Sequence, residues 1–327
     1  MKTTSRLAFA VLAVAAATVV PLGSARADDA YPSKPIQLVI PFPPGGATDV
    51  LGRLLASSLS AKLGQPVVSE NRAGAGTVIG AGYVAKAPPD GYTLLISSGT
   101  TFTVNPAIHP KLPYDPLKSF EQIGIAGRTG LILLAHKDVP ASNPKEFVAL
   151  AKSAPGKYAY ASFGSGTTAQ FTGELMQRAT GTQLVHVPYK GSAPAMTDLI
   201  GGQIPFSVDT VSAAIPQLKA GKVKAIAVTT AKRSALLPDV PTFAESGYAL
   251  DADTWLTIAA PRGLPPAVKA KLEKALAEVV AMPEVREKLV SVGFEPGYRN
   301  GAAVEAQIEK ELPLMRATAL RANIRPE

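Results

Sequence analysis

The fold of this chain is decided by a stretch that runs Ile36-Gln-Leu-Val-Ile-Pro-Phe-Pro-Pro-Gly-Gly-Ala-Thr-Asp49. The run at its start is mostly apolar and short, which is typical of a buried strand. The prolines and glycines end that strand, and Leu51, Leu55 and Leu59 then follow at the spacing of one helix face. Gly64 is suited to end the helix in a left-handed conformation. The stretch therefore predicts a strand, a glycine-rich loop and a helix.

A second stretch repeats this arrangement, Tyr158-Ala-Tyr-Ala-Ser-Phe-Gly-Ser-Gly-Thr-Thr168. Ligands of open α/β sheets bind beyond the carboxyl ends of strands, which is where both glycine-rich loops fall. If the two series of strands and helices form separate lobes, the loops can face each other across one cleft.

Short apolar runs alternate with amphipathic stretches along most of the chain, which predicts the α/β class with parallel sheets flanked by helices. After the run Trp255 to Ala259 the pattern is helical to the end, and Pro313 should kink or split the last helix. The other predicted strands are Tyr92 to Ile96, Gln122 to Ala126, Leu131 to Ala135, Leu184 to Val187, Pro205 to Val208 and Val223 to Val228.

The first 27 residues have the features of a secretory signal peptide. Lys2 and Arg6 precede an apolar run from Leu7 to Val20, and Ala25-Arg-Ala27 supplies small residues at the positions that signal peptidase reads. The apolar run is too short for a comfortable membrane span. We expect cleavage after Ala27 and, in a Gram-negative cell, a periplasmic protein.

The amino-acid composition argues against several classes of protein. The formal net charge of +8 falls to +5 when Lys2, Arg6 and Arg26 leave with the signal, and no basic run remains, so nucleic-acid binding is not indicated. A mild positive excess slightly favours anionic partners. The chain has no cysteine, so it contains neither disulfides nor a thiol for a lipid anchor.

The two loops carry the candidate ligand-binding residues. A helix start offers backbone N–H groups without intrahelical acceptors, and glycine lets that backbone approach a ligand closely. Neither loop contains lysine or arginine, so an anion would be held by amides and hydroxyls, which suits a carboxylate that must be released. The alternative is two ordinary turns capped by Thr48 and Thr167. The candidates are Phe42, Gly45, Gly46, Ala47, Thr48 and Asp49 in the first loop and Ser162, Gly164, Ser165, Gly166, Thr167 and Thr168 in the second.

Two aspartates are ambiguous in a site for an anion. Asp49 could stabilise the first helical turn, hold a water or contact a donor group of the solute, and the first role is favoured on general grounds. Asp209, which follows the Pro205 to Val208 strand, has the same three interpretations.

Signals for a cofactor, a metal or catalysis are weak. The run Gly74-Ala-Gly-Thr-Val-Ile-Gly80 has isoleucine where a dinucleotide fingerprint has its third glycine. Ser165 lacks the first glycine of a nucleophile elbow, because Phe163 stands there. His109, His136 and His186 show no metal-ligand spacing. We therefore predict no cofactor, no metal and no catalytic residue. A serine hydrolase that uses Ser165 is the less favoured alternative.

Several stretches together resemble the Bug-type solute-binding proteins of tripartite tricarboxylate transporters, in order and over nearly the whole mature chain. Besides Pro41 to Asp49, the stretches are Tyr31-Pro-Ser-Lys-Pro35, Glu70-Asn-Arg-Ala-Gly-Ala-Gly76, Ala87-Pro-Pro-Asp-Gly-Tyr-Thr-Leu94, Val187-Pro-Tyr-Lys-Gly191 and Leu237-Pro-Asp-Val-Pro-Thr-Phe-Ala-Glu-Ser-Gly247.

The resemblance implies a two-lobed periplasmic-binding-protein fold of the Venus-flytrap, type II-like kind, each lobe a mainly parallel sheet flanked by helices. We expect lobe 1 to comprise residues 31–127 plus 253–327 and lobe 2 to comprise 128–252. The hinge is expected near Gly127–Gly130 and Ala249–Trp255.

The same resemblance implies capture of a small carboxylate, such as a di- or tricarboxylate, an acidic amino acid or an aromatic acid. By this resemblance the two loops, Phe42 to Asp49 and Ser162 to Thr168, correspond to the family's carboxylate-binding loops, and Asp209 stands where members often have a cleft residue. The expected partners are the membrane subunits of the transporter, with a sensor protein as the alternative.

Overall fold

The computed structural model describes residues 31–325, so the predicted signal peptide and its cleavage site after Ala27 lie outside the described residues. The strands are β1 (Ile36–Ile40), β2 (Val67–Asn71), β3 (Thr93–Ser98), β4 (Phe120–His136), β5 (Ala159–Ser162), β6 (Val185–Pro188), β7 (Phe206–Thr210), β8 (Val223–Val228), β9 (Asp253–Pro261) and β10 (Glu295–Asn300). The helices are α1 (Ala47–Leu63), α2 (Val78–Ala85), α3 (Asn105–Ile108), α4 (Pro144–Ser153), α5 (Thr168–Thr180), α6 (Ser192–Ile200), α7 (Val211–Lys219), α8 (Pro266–Ala281), α9 (Pro283–Ser291) and α10 (Gly301–Arg321).

The strands are hydrogen-bonded in the order β2-β1-β3-β9-β4-β7-β5-β6, and β8 and β10 also pair with β4. Pairing is parallel where β1 meets β2 and β3 and where β5 meets β6 and β7. Every pairing made by β4 or β9 is antiparallel. The α/β class is confirmed, but the sheets are mixed rather than mainly parallel, because β4 and β9 run in opposite directions side by side through the middle.

The long strand β4 joins two sheet halves. Its residues up to Gly130 pair with β9, and from Leu131 onward it pairs with β7 and β8. We call the strands β2, β1, β3, β9, β10 and this first part of β4 the first half, and the remaining strands the second half. The prediction of two separate strands in this region is wrong. Gly127 and Gly130 lie within β4 and pair with Leu256 and Asp253 of β9. The lobe boundaries drawn from the sequence remain a prediction.

Both faces of the sheet are buried. In β4, Leu131 and Leu133 pack in one apolar cluster while Ile132 and Leu134 pack in another on the opposite face. This alternation is what a strand covered by helices on both sides requires. In the first half, a further cluster joins Val39 of β1 to residues of β3, β9 and α10.

The C-terminal region differs from its prediction in two ways. The polar strand β10, with its exposed Glu295, lies between α9 and α10 and pairs with β4. Its sequence lacks an apolar pattern because most of its residues are exposed, and backbone pairing with β4 joins it to the sheet. The last helix is continuous through Pro313 and buries Val304 and Ile308 against the first half, so the proline does not split it. In the part of the chain from 31 to 325, none of the helices combines the length and the apolar character of a membrane span.

Candidate ligand-binding site

The loop after β1 leads directly into α1 and leaves the helix start without a side-chain cap. Gly46 is the N-cap residue and has no side chain that could accept from the first amides. Thr48 lies inside the first turn, so its predicted role as a cap is wrong. The N–H groups of a first helical turn have no intrahelical acceptor. The loop therefore presents donors to whatever lies in front of it.

Asp49 holds this loop in place from within. Its Oδ2 accepts from the Gly45 amide at 3.0 Å, and its Oδ1 accepts from Arg53 Nε at 3.0 Å and from Asn71 Nδ2 at 2.9 Å. Asn71 also donates to the carbonyl of Phe42 at 3.0 Å. Burial raises the pKa of Asp49, but the bonds from Arg53, Asn71 and Gly45 outweigh it, and the net pKa is lowered. Asp49 is thus an ionised support of the first helical turn, the role favoured from the sequence.

The loop after β5 leads into α5 in the same way. Thr167 is the N-cap residue, but its hydroxyl donates to the Gly164 carbonyl at 2.6 Å instead of accepting from the helix. Gly164 and Gly166 have φ angles of 149° and 62°, which other residues rarely adopt. The Gly166 amide donates to Gln170 Oε1 at 2.8 Å. The N-cap residue therefore provides no side-chain cap for this helix.

The two loops meet. Phe42 and Phe163 are edge to face with ring centroids 6.4 Å apart. The Thr168 amide donates to Thr100 Oγ1, from the segment after β3, at 3.2 Å. A Cβ placed on Gly46 would lie 3.8 Å from Ser192 Oγ. The two halves therefore contact each other at these loops.

An inner cavity lies between these loops and strand β9. In this conformation it encloses about 30 Å³, room for little more than a water molecule. Its predicted lining residues are Phe42, Gly46, Ala47, Thr48 and Thr168. Four hydroxyl residues that were not predicted also line it: Ser98, Ser192, Thr210 and Thr254. Among the described residues, no lysine or arginine lines this cavity.

A larger outer cavity of about 560 Å³ adjoins the inner one. Phe42, Pro43, Phe163 and Gly191 line both, so they form the partition between them. The outer cavity continues along Ala73–Thr77 on one side and along the second loop and Lys190 on the other. Its lining includes the predicted residues Gly164, Ser165 and Thr167.

The remaining predicted residues lie off both cavities. Gly45 borders a separate recess beside α6, and Ser162 is fully buried. A Cβ on Gly166 would touch Ile108 Cδ1 at 2.7 Å. Ser162 Oγ lies 2.7 Å from His186 Nε2, but its burial keeps a substrate away, so this pair does not form a nucleophilic site.

Asp209 is fully buried and lies behind Ser192 and Thr210, which line the inner cavity. It lies within β7, opposite Ile132, rather than beyond the strand as predicted. Its Oδ1 accepts from Ser192 Oγ at 2.8 Å and from the Thr210 amide at 2.7 Å, while Oδ2 has no hydrogen-bond partner among residues 31–325. Burial raises its pKa to about 6, although those bonds lower it. Around pH 6 this group therefore changes charge beside two cavity hydroxyls.

Sequence reasoning missed the four hydroxyl residues for an identifiable reason. Ser192 begins α6 after the Val187 to Gly191 stretch, and Thr210 caps α7 by accepting from the Ala213 amide at 3.2 Å. Both are further strand-to-helix junctions at the same edge. Applying the strand-end rule to every junction would have found them. Ser98 and Thr254 lie in strands, at β3 and β9, and carry no such signal.

Among residues 31–325, no three histidine, aspartate or glutamate side chains lie close enough together to hold a metal ion.

Comparison with known proteins identifies the family. Residues 51–320 match the model of the tripartite tricarboxylate transporter family receptor. The chain is 38% identical to the protein BugT of Bordetella pertussis over 270 residues, which covers 82% of this chain and 83% of BugT. An adipate-bound R. palustris protein has 34% identity and a TM-score of 0.87, covering 91% of this chain and all of the other. MatC of Rhodopseudomonas palustris with bound malate has 31% identity and a TM-score of 0.82, covering 88% and 99%. The chain therefore belongs to the tripartite tricarboxylate transporter receptor family and has its periplasmic binding-protein fold.

Proposed function

We propose that this protein captures a small carboxylated solute in the periplasm and delivers it to the membrane subunits of a tripartite tricarboxylate transporter. The observation that carries the proposal is the inner cavity, where the uncapped start of α1 and the start of α5 face four hydroxyl side chains and, among residues 31–325, no lysine or arginine. Amides and hydroxyls of this kind hold a carboxylate through charge-assisted hydrogen bonds. The adipate and malate found in two relatives belong to the same chemical class.

Closure is the second part of the proposal. The inner cavity, at about 30 Å³, is too small for a dicarboxylate as it stands. We propose that the halves separate by hinge movement where β4 changes partner after Gly130 and where β9 begins at Asp253. Arg128 and Asp253 form a bidentate ion pair there, at 2.6 and 2.9 Å, which keeps the two strands together while the halves move. The solute would then enter the open cleft and stabilise the closed form.

The first experiment is a screen for solutes that stabilise the refolded protein. A ligand that binds only the folded state raises the midpoint of thermal unfolding. We expect at least one of adipate, malate, succinate, citrate, glutamate and benzoate to do so, and the corresponding amides to have little effect. Refolding removes any solute carried through purification. If none of these acids stabilises the protein, the proposed function is wrong.

Thr254→Val tests the site itself. Thr254 Oγ1 is buried in the cavity wall and has no hydrogen-bond partner among residues 31–325, so the substitution removes no bond from the folded protein. We expect unchanged stability and a loss of solute affinity of about tenfold, the value of one hydrogen bond of about 1.4 kcal/mol. Thr197→Val is the matched control, because Thr197 lies exposed on α6 and donates only to Ala193. Equal affinities of the two variants would exclude Thr254 from the site.

A further inference from the structure

The backbone between β2 and α2 is held in an unusual conformation. Gly74, Ala75, Gly76 and Thr77 all have positive φ angles, of 141°, 45°, 55° and 83°. Two of them are not glycine, and such residues rarely adopt these angles unless the surrounding structure imposes them. We call residues 74–77 the strained turn. It belongs to the sequence run that failed as a dinucleotide fingerprint, and the proposed function has not used it.

A buried network ties the strained turn to the first half. Thr77 Oγ1 lies 2.7 Å from Thr101 Oγ1, which lies 2.6 Å from Ser97 Oγ. Asn105 Nδ2 donates to the Gly76 carbonyl at 2.8 Å and to Thr77 Oγ1 at 3.0 Å. All of these side chains are buried. The turn is therefore a rigid projection rather than a loose loop.

The strained turn contacts the second loop across the cleft. A Cβ built on Gly76 would lie 3.3 Å from the Ser165 carbonyl oxygen and 3.7 Å from that of Gly166. Both sides of this contact are backbone, which cannot rotate out of the way as a side chain can. The turn and the second loop also line opposite sides of the outer cavity. The contact therefore exists only while the two halves are together.

We propose that the strained turn is a third element of the binding site. It is a rigid segment against which the second loop packs when the halves close. Gly76 is the contact residue, and its missing side chain sets how far closure proceeds. This inference rests on the closing movement in the proposed function. It makes Gly76 a positioning residue for solute retention, although Gly76 lies outside the two loops that hold the carboxylate.

The test compares Gly76→Ala with Gly221→Ala. Gly221 has a similar φ of 65°, and a Cβ there would meet nothing within 4 Å, so it reproduces the backbone strain without the contact. Both variants should lose thermal stability, because alanine is strained at these positive φ angles. Only Gly76→Ala should bind the solute at least fivefold more weakly, mainly through faster dissociation. Equal affinities in the two variants would overturn the inference and leave the proposed function intact.

A second measurement needs no solute and covers the case in which none is found. The chain has no cysteine, so Val68→Cys and Val185→Cys can carry a pair of spin labels. These positions are 54% and 49% exposed and lie on β2 and β6, the two outer edges of the sheet. We expect a longer or broader distance distribution in Gly76→Ala than in wild type or Gly221→Ala. Identical distributions in all three proteins would overturn the inference by themselves.

Discussion

Replacement of Asp209 by asparagine should stabilise this protein, and by an amount that depends on pH. The carboxyl group is fully buried, and burial raises its pKa from the ordinary 3.8 to about 6. The folded state therefore prefers the protonated acid. Asparagine keeps the acceptor for Ser192 and Thr210 but cannot ionise.

The magnitude follows from proton linkage. A difference of about two pKa units at about 1.4 kcal/mol per unit gives a limit of about 3 kcal/mol. Because the folded-state pKa is the higher one, the stability linked to protonated Asp209 is fully present below pH 3.8. It is lost as the pH rises through about 6. Between pH 4 and pH 7, wild type should lose about 2 kcal/mol relative to Asp209→Asn.

The assay is urea unfolding of both proteins at pH 4, 5, 6, 7 and 8, with the difference in free energy of unfolding taken at each pH. Taking the difference cancels the titration of all other groups. A difference that grows with pH and levels off above 6 is the expected result. A difference that stays constant from pH 4 to pH 8 would show that Asp209 keeps an ordinary pKa and that the reasoning from its burial is wrong.

Two further predictions concern supports of the cleft. Asn71→Leu removes the donor to both the Phe42 carbonyl and Asp49 Oδ1, so the first loop should loosen and solute affinity should fall about tenfold in calorimetric titration; unchanged affinity would contradict the supporting role. Glu311 accepts from Trp255 Nε1 at 3.0 Å, and burial raises the pKa of Glu311, with bonds from its neighbours opposing the rise. Fluorescence of Trp255, the only tryptophan, should therefore change with pH above the usual glutamate range, and a Glu311→Gln variant that keeps this change would refute the assignment.

The local pattern was enough to predict the two loops. Each follows an apolar strand and precedes a helix with leucines or other apolar residues on one face, and these are properties of neighbouring residues. The left-handed Gly64 at the end of α1, with φ of 73°, was predicted on the same basis. The first-loop residues Gly46, Ala47 and Thr48, which line the inner cavity, are therefore identified as candidates by the sequence alone.

Properties that depend on distant partners were not predictable in this way. Gly127 and Gly130 appeared to interrupt a strand, but pairing with β9 carries the backbone through them. The polar strand β10 joins the sheet by pairing with β4 and has no apolar signal of its own. Thr254 enters the cavity wall only because β9 crosses behind both loops. Each case needs a contact between residues far apart in the chain.

The proposed function requires that uncharged donors in the inner cavity hold a carboxylate. A crystal structure of the protein with the acid that most raises its unfolding midpoint tests this directly. We predict carboxylate oxygens about 2.7–3.1 Å from the amides of Ala47 or Thr48 and from cavity hydroxyls such as Ser192. A carboxylate bound in the outer cavity against Lys190, with the inner cavity unused, would contradict it.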